Sequence, residues 1–285
     1  MSYSNQKKGM FLAFIGVMFI TPDSLLIRLA NLSSWDLIFY RGIIPFFIVF
    51  FALLIIYRSK FISQLIENSW HGVAYAVIFA ITNVFFVISI NNTNVANTLI
   101  MIALAPMLSS VISFIFLKEN TDKKTLVAIG ITTLAVIYIF KDSFERGDVL
   151  GNFLGLICAT GLAGGAVIIR SAKKINLVPS AMMGKLLVAL IAFFFTENLI
   201  LRGNDIAIVP IMCIACVTIP FVLITLAPRY ITAPEVNLFF LLETILGPLW
   251  VWLVITEQPS TETIIGGFVI ISTIAFHSIL SLKKT

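Results

Sequence analysis

The feature that most constrains this chain is a series of about ten apolar runs, each near the roughly 20 residues an α-helix needs to cross a bilayer. They lie near 9–30, 36–57, 72–91, 94–117, 124–140, 151–170, 179–201, 206–227, 232–255 and 262–281. Charges, Pro or Gly bound each one, as expected where helices stop. Hydrocarbon offers backbone groups no hydrogen bonds, so spans of this length fold as helices. On this reading about 200 of the 285 residues lie in the membrane, and only short connections and two stubs remain.

Composition excludes the soluble alternatives. Hydrophobic residues make up 59% of the chain and charged residues 12%, against roughly 25% charged in soluble domains. That is too little charge to cover a soluble surface, which removes soluble enzymes and nucleic-acid-binding modules. The net charge of +5 then reads as a basic membrane-facing surface. Cys158, Cys213 and Cys216 sit within apolar runs, away from any loop that could hold a structural disulfide. Lys7 and Lys8 before an apolar run mimic a secretory leader, but no A-x-A-like site follows and the run continues to Ile27, so a retained helix is expected.

Ten spans place both termini on one side. Thirteen of the nineteen Lys and Arg residues fall on the N-terminal side, including Lys7, Arg58, Lys118, Arg170, Arg229 and Lys283, while Arg28, Lys141, Arg146 and Arg202 fall on the other. The positive-inside rule therefore puts both termini in the cytoplasm and the protein in the cell (inner) membrane.

The two halves resemble each other. Gly9, Phe11 and Leu12 match Gly151, Phe153 and Leu154, and Ile27-Arg28 matches Ile169-Arg170, at an offset of 142; Leu117-Lys118-Glu119 aligns with Ile255-Thr256-Glu257 at 138. Five spans per copy is an odd number, so the second copy must insert upside down. The expected fold is an all-α integral membrane protein of ten transmembrane helices as two inverted five-helix repeats. The first covers 1–140, an outer loop 141–148 and the second 149–285. Inverted repeats are typical of carriers that open alternately to the two sides.

The candidate pathway comes from polar and helix-breaking residues at membrane depth. Pro22 cannot donate to the carbonyl of Met18, so the first helix should open at Thr21-Pro22-Asp23. The aligned residues Gly164 and Gly165 are also helix-weakening, and Pro106 and Pro248 are further candidate breaks or hinges. Ordinary enrichment of Pro and Gly in membrane helices is the competing reading. Asp23 and Glu243 are ionisable groups within hydrocarbon depth, where an unpaired charge costs several kcal/mol. Arg41 and Lys185 lie further from the centre and could instead snorkel; Arg28 lies near a helix end, where an interfacial role competes. Asn83, Asn97, Asn237 and Phe240 complete the candidate pathway, with helix–helix hydrogen bonding as the alternative for the amides.

Other features point to packing. Gly151-x3-Gly155 and Gly161-x3-Gly165 allow close helix contact within one chain, so a monomer is expected. Cys213-x-x-Cys216 has no second ligand pair or nearby His and reads as packing rather than metal chemistry. His71 and His277 stand alone, with no zinc-protease, nucleophile-elbow or P-loop motif. No catalytic residue, metal or cofactor is expected, and the chain does not read as an enzyme.

Asn97 through Leu108, followed by Phe116-Leu117-Lys118-Glu119, resembles the fourth helix of the EamA-type family in the drug/metabolite transporter superfamily, with its central Pro106 and terminal Glu119. Gly130 resembles that family's fifth-helix glycine, and Leu242-Glu243, Glu257 and Gly266-Gly267 resemble its ninth and tenth helices. Thr244 stands where the family usually has Pro, and Thr21-Pro22-Asp23 where it has small residues and Trp. The resemblance implies a ten-helix carrier with a central cavity, often an exporter of amino acids or other small metabolites. The expected function is therefore secondary-active export of a small polar metabolite by alternating access. The mixed charges suit an amino acid or similar zwitterion, with a proton or a counter-substrate as candidate coupling partner. An uptake carrier or exchanger of the same fold, and a non-transporting scaffold or membrane enzyme, are the alternatives.

Overall fold

The computed structural model describes residues 3–67, 69–118 and 123–282, and these are helical with no strand among them. The first helix is in two pieces, α1 (Tyr3–Ile20) and α2 (Asp23–Leu29). There follow α3 (Ser34–Tyr57), the short α4 (Phe61–Glu67), α5 (Ser69–Asn92), and α6 (Val95–Ile102) with α7 (Ala105–Leu117). Then come α8 (Lys123–Arg146), α9 (Val149–Ser171), α10 (Val178–Phe193), and α11 (Asp205–Ile211) joined through a wide turn to α12 (Ile219–Leu226). The chain closes with α13 (Ala233–Ile255) and α14 (Thr261–Leu282).

Among the described residues, seven segments are long and apolar enough to cross a membrane, and three shorter apolar helices lie at 130–141, 178–193 and 261–276. Large apolar side chains such as Phe116, Phe194 and Phe268 are 75%, 81% and 73% exposed. In water such a surface would aggregate; in a bilayer it faces lipid. The molecule is a multi-pass membrane protein.

Two expected boundaries differ. The run at 179–201 is helical only to Phe193. Beyond it the Asp36 carboxylate accepts the Glu197 and Asn198 amides at 2.9 and 3.3 Å, and the Tyr40 hydroxyl donates to the Leu199 carbonyl. Side chains of α3 thus bond backbone groups that a longer helix would bond itself. The connection expected at 141–148 is helical through Arg146, and Gly147 ends it with φ +82°, a conformation open to glycine.

Helices of the two halves pair with each other: α1 with α12, α3 with α10, α5 with α9, α7 with α13 and α8 with α14. The α5–α9 contact shows why the sequence allows this. A Cβ on Gly151 would lie 2.7 Å from the Asn92 carbonyl oxygen, and one on Gly155 3.4 Å from Ser89 Oγ. Further along, one on Gly161 would lie 2.0 Å from Thr82 Oγ1. Small residues let the backbones approach, as in membrane helix pairs generally. Residue spacing also recurs. The segments 95–117 and 233–255 have matching ends, and each stops on a left-handed non-glycine residue, Lys118 at φ 54° and Thr256 at φ 59°.

Candidate functional site

The site starts at the break between α1 and α2. Pro22 has no N–H for the Met18 carbonyl, and the Thr21 hydroxyl donates to that carbonyl instead, at 3.0 Å. The break puts Asp23 at the first turn of α2, with 0% exposure. A Cβ on Gly247 would lie 3.2 Å from Ser24 Oγ and 2.4 Å from Leu99 Cδ1, so this glycine gives α13 its clearance over the break. The carboxylate of Asp23 is held by Arg41 of α3, Nη1 to Oδ1 at 2.5 Å and Nη2 to Oδ2 at 2.7 Å. This two-pronged geometry is the strongest that the pair can adopt. The guanidinium also lies 5.8 Å from the Phe86 ring centre.

Lys185 enters from α10. A Cβ on Gly42 would lie 2.6 Å from Ala189 N and 2.8 Å from the Lys185 carbonyl, so α3 and α10 touch backbone to backbone at this level. The Lys185 side chain is 1% exposed. Its ammonium donates to Asn83 Oδ1 at 2.6 Å and lies 5.1 Å from the Phe79 ring and 5.7 Å from that of Phe221. Asn83 is itself fixed, its Nδ2 donating to the Phe79 carbonyl at 2.7 Å. The surroundings of the ammonium are thus an amide oxygen and aromatic faces. Among the described residues the ion pairs are Arg41–Asp23 and Arg28–Glu257, and Lys185 is in neither.

The third wall is α13. Asn237, Phe240 and Glu243 are spaced by three, which keeps them on one helical face, and all are buried. Among the described residues, Glu243 Oε1 and Asn237 Nδ2 have no hydrogen-bond partner. These walls enclose a cavity whose empty volume, mouth included, is about 930 Å³. It runs from Asp23 and Arg41 past Asn83 and Lys185 to Tyr75 and Pro228. Tyr75 and Phe86 both line it, which gives it a length of about 16 Å along α5. At the Tyr75 end, the Tyr75 and Thr225 hydroxyls are hydrogen-bonded at 2.9 Å.

The cavity thus gathers Asp23, Arg41, Asn83, Lys185, Asn237, Phe240, Glu243 and Gly165. Two expected pathway residues do not line it. Asn97 is consumed in packing, its Nδ2 donating to Thr93 Oγ1 at 3.1 Å and its Oδ1 accepting from Thr263 Oγ1 at 2.5 Å. Arg28 pairs with Glu257 beyond the cavity, Nε to Oε2 at 3.1 Å. Two expected breaks are absent. The helix α9 runs unbroken through Gly164 and Gly165, because glycine keeps the N–H that proline lacks; a Cβ on Gly165 would lie 3.3 Å from the Tyr75 ring, so its role is clearance. The helix α13 also runs on through Pro248, the loss of one bond being tolerated in a packed helix. The break preceding Pro106 lies at Ala103–Leu104, between α6 and α7. Glu119 lies outside the described residues.

One element escaped the sequence reading. Between α11 and α12, Met212–Thr218 forms a π-helix, whose wider turn is frequent at functional sites. Thr218 Oγ1 donates to the Cys213 carbonyl at 2.6 Å, and Pro220 follows directly. The turn places Cys216 and Val217 on the cavity wall. Pro210 and Pro220 at the two ends of the segment are the available sequence signal.

Residues 7–141 match the EamA-like transporter family. A solved structure described as "Crystal structure of protein" superposes with a TM-score of 0.68 at 16% identity, over 96% of this chain and 98% of its own; at that identity the likeness shows a shared fold. No curated protein matches.

Proposed function

From the premise that residues 7–141 belong to the EamA-like transporter family, we propose that this chain is a secondary carrier of a small zwitterion, an amino acid or a close analogue. The observation that carries this reading is the division of charge in the cavity. Asp23 and Arg41 satisfy each other on both prongs. Lys185 and Glu243 stand in no ion pair among the described residues. Lys185 is a compact cation with three donors, fit for a substrate carboxylate. Glu243, whose buried Oε1 has no donor among the described residues, offers the pole for its ammonium group. The aromatic faces of Phe79 and Phe221 and the side chain of Phe240 receive the apolar part.

The carrier works by alternating access. Ten helices cross the membrane, the three shorter apolar helices among them, as inverted five-helix repeats covering 1–140 and 149–285. The pairing of helices between halves and the recurring spacing of helix ends support that arrangement. Both termini face the cytoplasm in an inner membrane, the chain acts as a monomer, and export follows the resemblance noted in the sequence. Substrate shifts the inward and outward populations only through differential contacts in the two states. A proton or counter-substrate supplies the driving gradient.

The test is counterflow in proteoliposomes preloaded with each of the proteinogenic amino acids in turn. Wild-type protein should accumulate at least one labelled amino acid. Lys185→Met and Glu243→Gln should each lose more than about tenfold in rate, the effect of leaving one charged pole of a bound ligand unpaired. Absence of counterflow for every amino acid, or wild-type rates in both variants, would overturn the reading.

A further inference from the structure

We infer that Arg28 and Glu257 form the latch that closes the cavity on the side away from the N-terminus, an inference that rests on the alternating-access reading above. The cavity ends at Asp23 and Arg41. Arg28 lies five residues further along α2, about 7.5 Å along the axis, where the chain leaves the membrane. There Arg28 Nε lies 3.1 Å from Glu257 Oε2, and Nη2 donates to the Thr93 carbonyl at 2.8 Å. Glu257 Oε1 accepts the Val95 amide at 2.8 Å, at the first turn of α6, where a helix end favours a negative charge. Asn94 Nδ2 donates to the Gln258 carbonyl at 3.1 Å.

Three elements that flank the cavity are tied by this one cluster: the end of α2, the turn between α5 and α6, and the segment after α13. Opening that end requires α2 and α13 to part from α6, which breaks the ion pair and uncovers the Val95 amide. The two side chains are 24% and 21% exposed, so water can take over their hydrogen bonds when they separate. A fully buried pair such as Arg41–Asp23, 6% and 0% exposed, would resist that separation far more strongly. The latch is thus reversible where the interior pair is permanent. The second half carries the related bond at the opposite end: Arg170, aligned with Arg28, donates to the Ile231 carbonyl at 3.4 Å.

Cys216 on the cavity wall is a native reporter. With Cys158 and Cys213 replaced by Ala, Cys216 is the remaining thiol. Labelling by a membrane-impermeant methanethiosulfonate is measured from each face in sealed vesicles. Arg28→Ala and Glu257→Ala should each raise labelling from the face away from the N-terminus by about tenfold, as expected for loss of a charge-assisted contact. The double variant should exceed neither single one, because both remove the same contact. If all variants label only from the N-terminal face, at the wild-type rate, the latch is overturned while the cavity reading stands. If Cys216 labels from neither face in any variant, the cavity reading fails and the latch with it. Additive effects in the double variant would also overturn a shared latch, whatever the folded yield of either single variant.

Discussion

Replacing Arg41 by Met tests whether the break in the first helix is a dry electrostatic joint. The Asp23 side chain is 0% exposed and that of Arg41 6%, and both carboxylate oxygens accept from the one guanidinium. Removing a partner from a buried pair costs about 3–5 kcal/mol, because the remaining charge is left unpaired. With about 2–4 °C of Tm per kcal/mol in a chain of this size, Arg41→Met should melt roughly 6–20 °C lower in detergent. If water from the cavity reached the pair, the loss would fall to the ~1 kcal/mol or less of an exposed ion pair. The double variant Asp23→Leu/Arg41→Met separates the charge effect from side-chain loss. Replacing both charges by apolar groups of similar volume should recover most of the stability, since a buried pair and a well-packed apolar one are often equivalent. A single variant within about 3 °C of wild type would refute the dry joint. A double variant no more stable than the single would place the loss in packing rather than charge.

Three further outcomes follow from local geometry. Glu243→Gln should leave Tm unchanged or raise stability by about 1 kcal/mol, since Oε1 has no hydrogen-bond partner among the described residues to lose; a drop larger than that in thermal unfolding would mean that the carboxylate is compensated. Gly42→Ala should cost about 1–3 kcal/mol, because its Cβ would meet backbone atoms of α10 at 2.6 and 2.8 Å. Gly130→Ala, with nothing within 4 Å of the added carbon, should be neutral or stabilising by up to ~1 kcal/mol; equal losses in the two by denaturant titration would contradict the assigned packing of α3 on α10.

The seven long apolar segments were legible because the physics that sets them is one-dimensional. An apolar run near 20 residues has few alternatives in lipid, and the ends of α6–α7 and α13 fall within a residue or two of the expected limits. Asp23, Arg41, Lys185 and Glu243 stood out for the same reason, since each is costly unless the fold provides for it. How the fold provides for each was not legible. Pairing Arg41 with Asp23 rather than with a ligand depends on α3 carrying the guanidinium to the depth at which α2 begins, which no local pattern encodes. Arg28 and Asn97 carry the same chemical signal as the pathway residues, yet contacts 229 and 166 positions away absorb them. The break in the first helix could be located from a missing N–H at Pro22; glycines at the aligned place kept theirs, and α9 stayed whole.

What separates a transport site from a polar scaffold in such a bundle is therefore not the presence of buried charge but whether that charge is already satisfied. Ser89 bonds Thr98 and the Gly151 carbonyl at 2.8 and 2.7 Å, and Asn97 bonds Thr93 and Thr263; these groups are fully engaged and fasten helices together. Asp23 and Arg41 are engaged as well, with each other beside the break, so they fix the wall of the cavity rather than solicit a ligand. Lys185 and Glu243 differ from all of these. Among the described residues, the lysine ammonium has an amide oxygen and aromatic faces where a carboxylate would be expected, and the glutamate has a buried oxygen without a donor. A fold that keeps two such groups at hydrocarbon depth sustains their desolvation in every resting molecule. On the carrier reading proposed above, a ligand carrying the opposite pattern of charge would relieve both at once, and that differential would be the free energy by which binding biases the two halves toward one opening or the other.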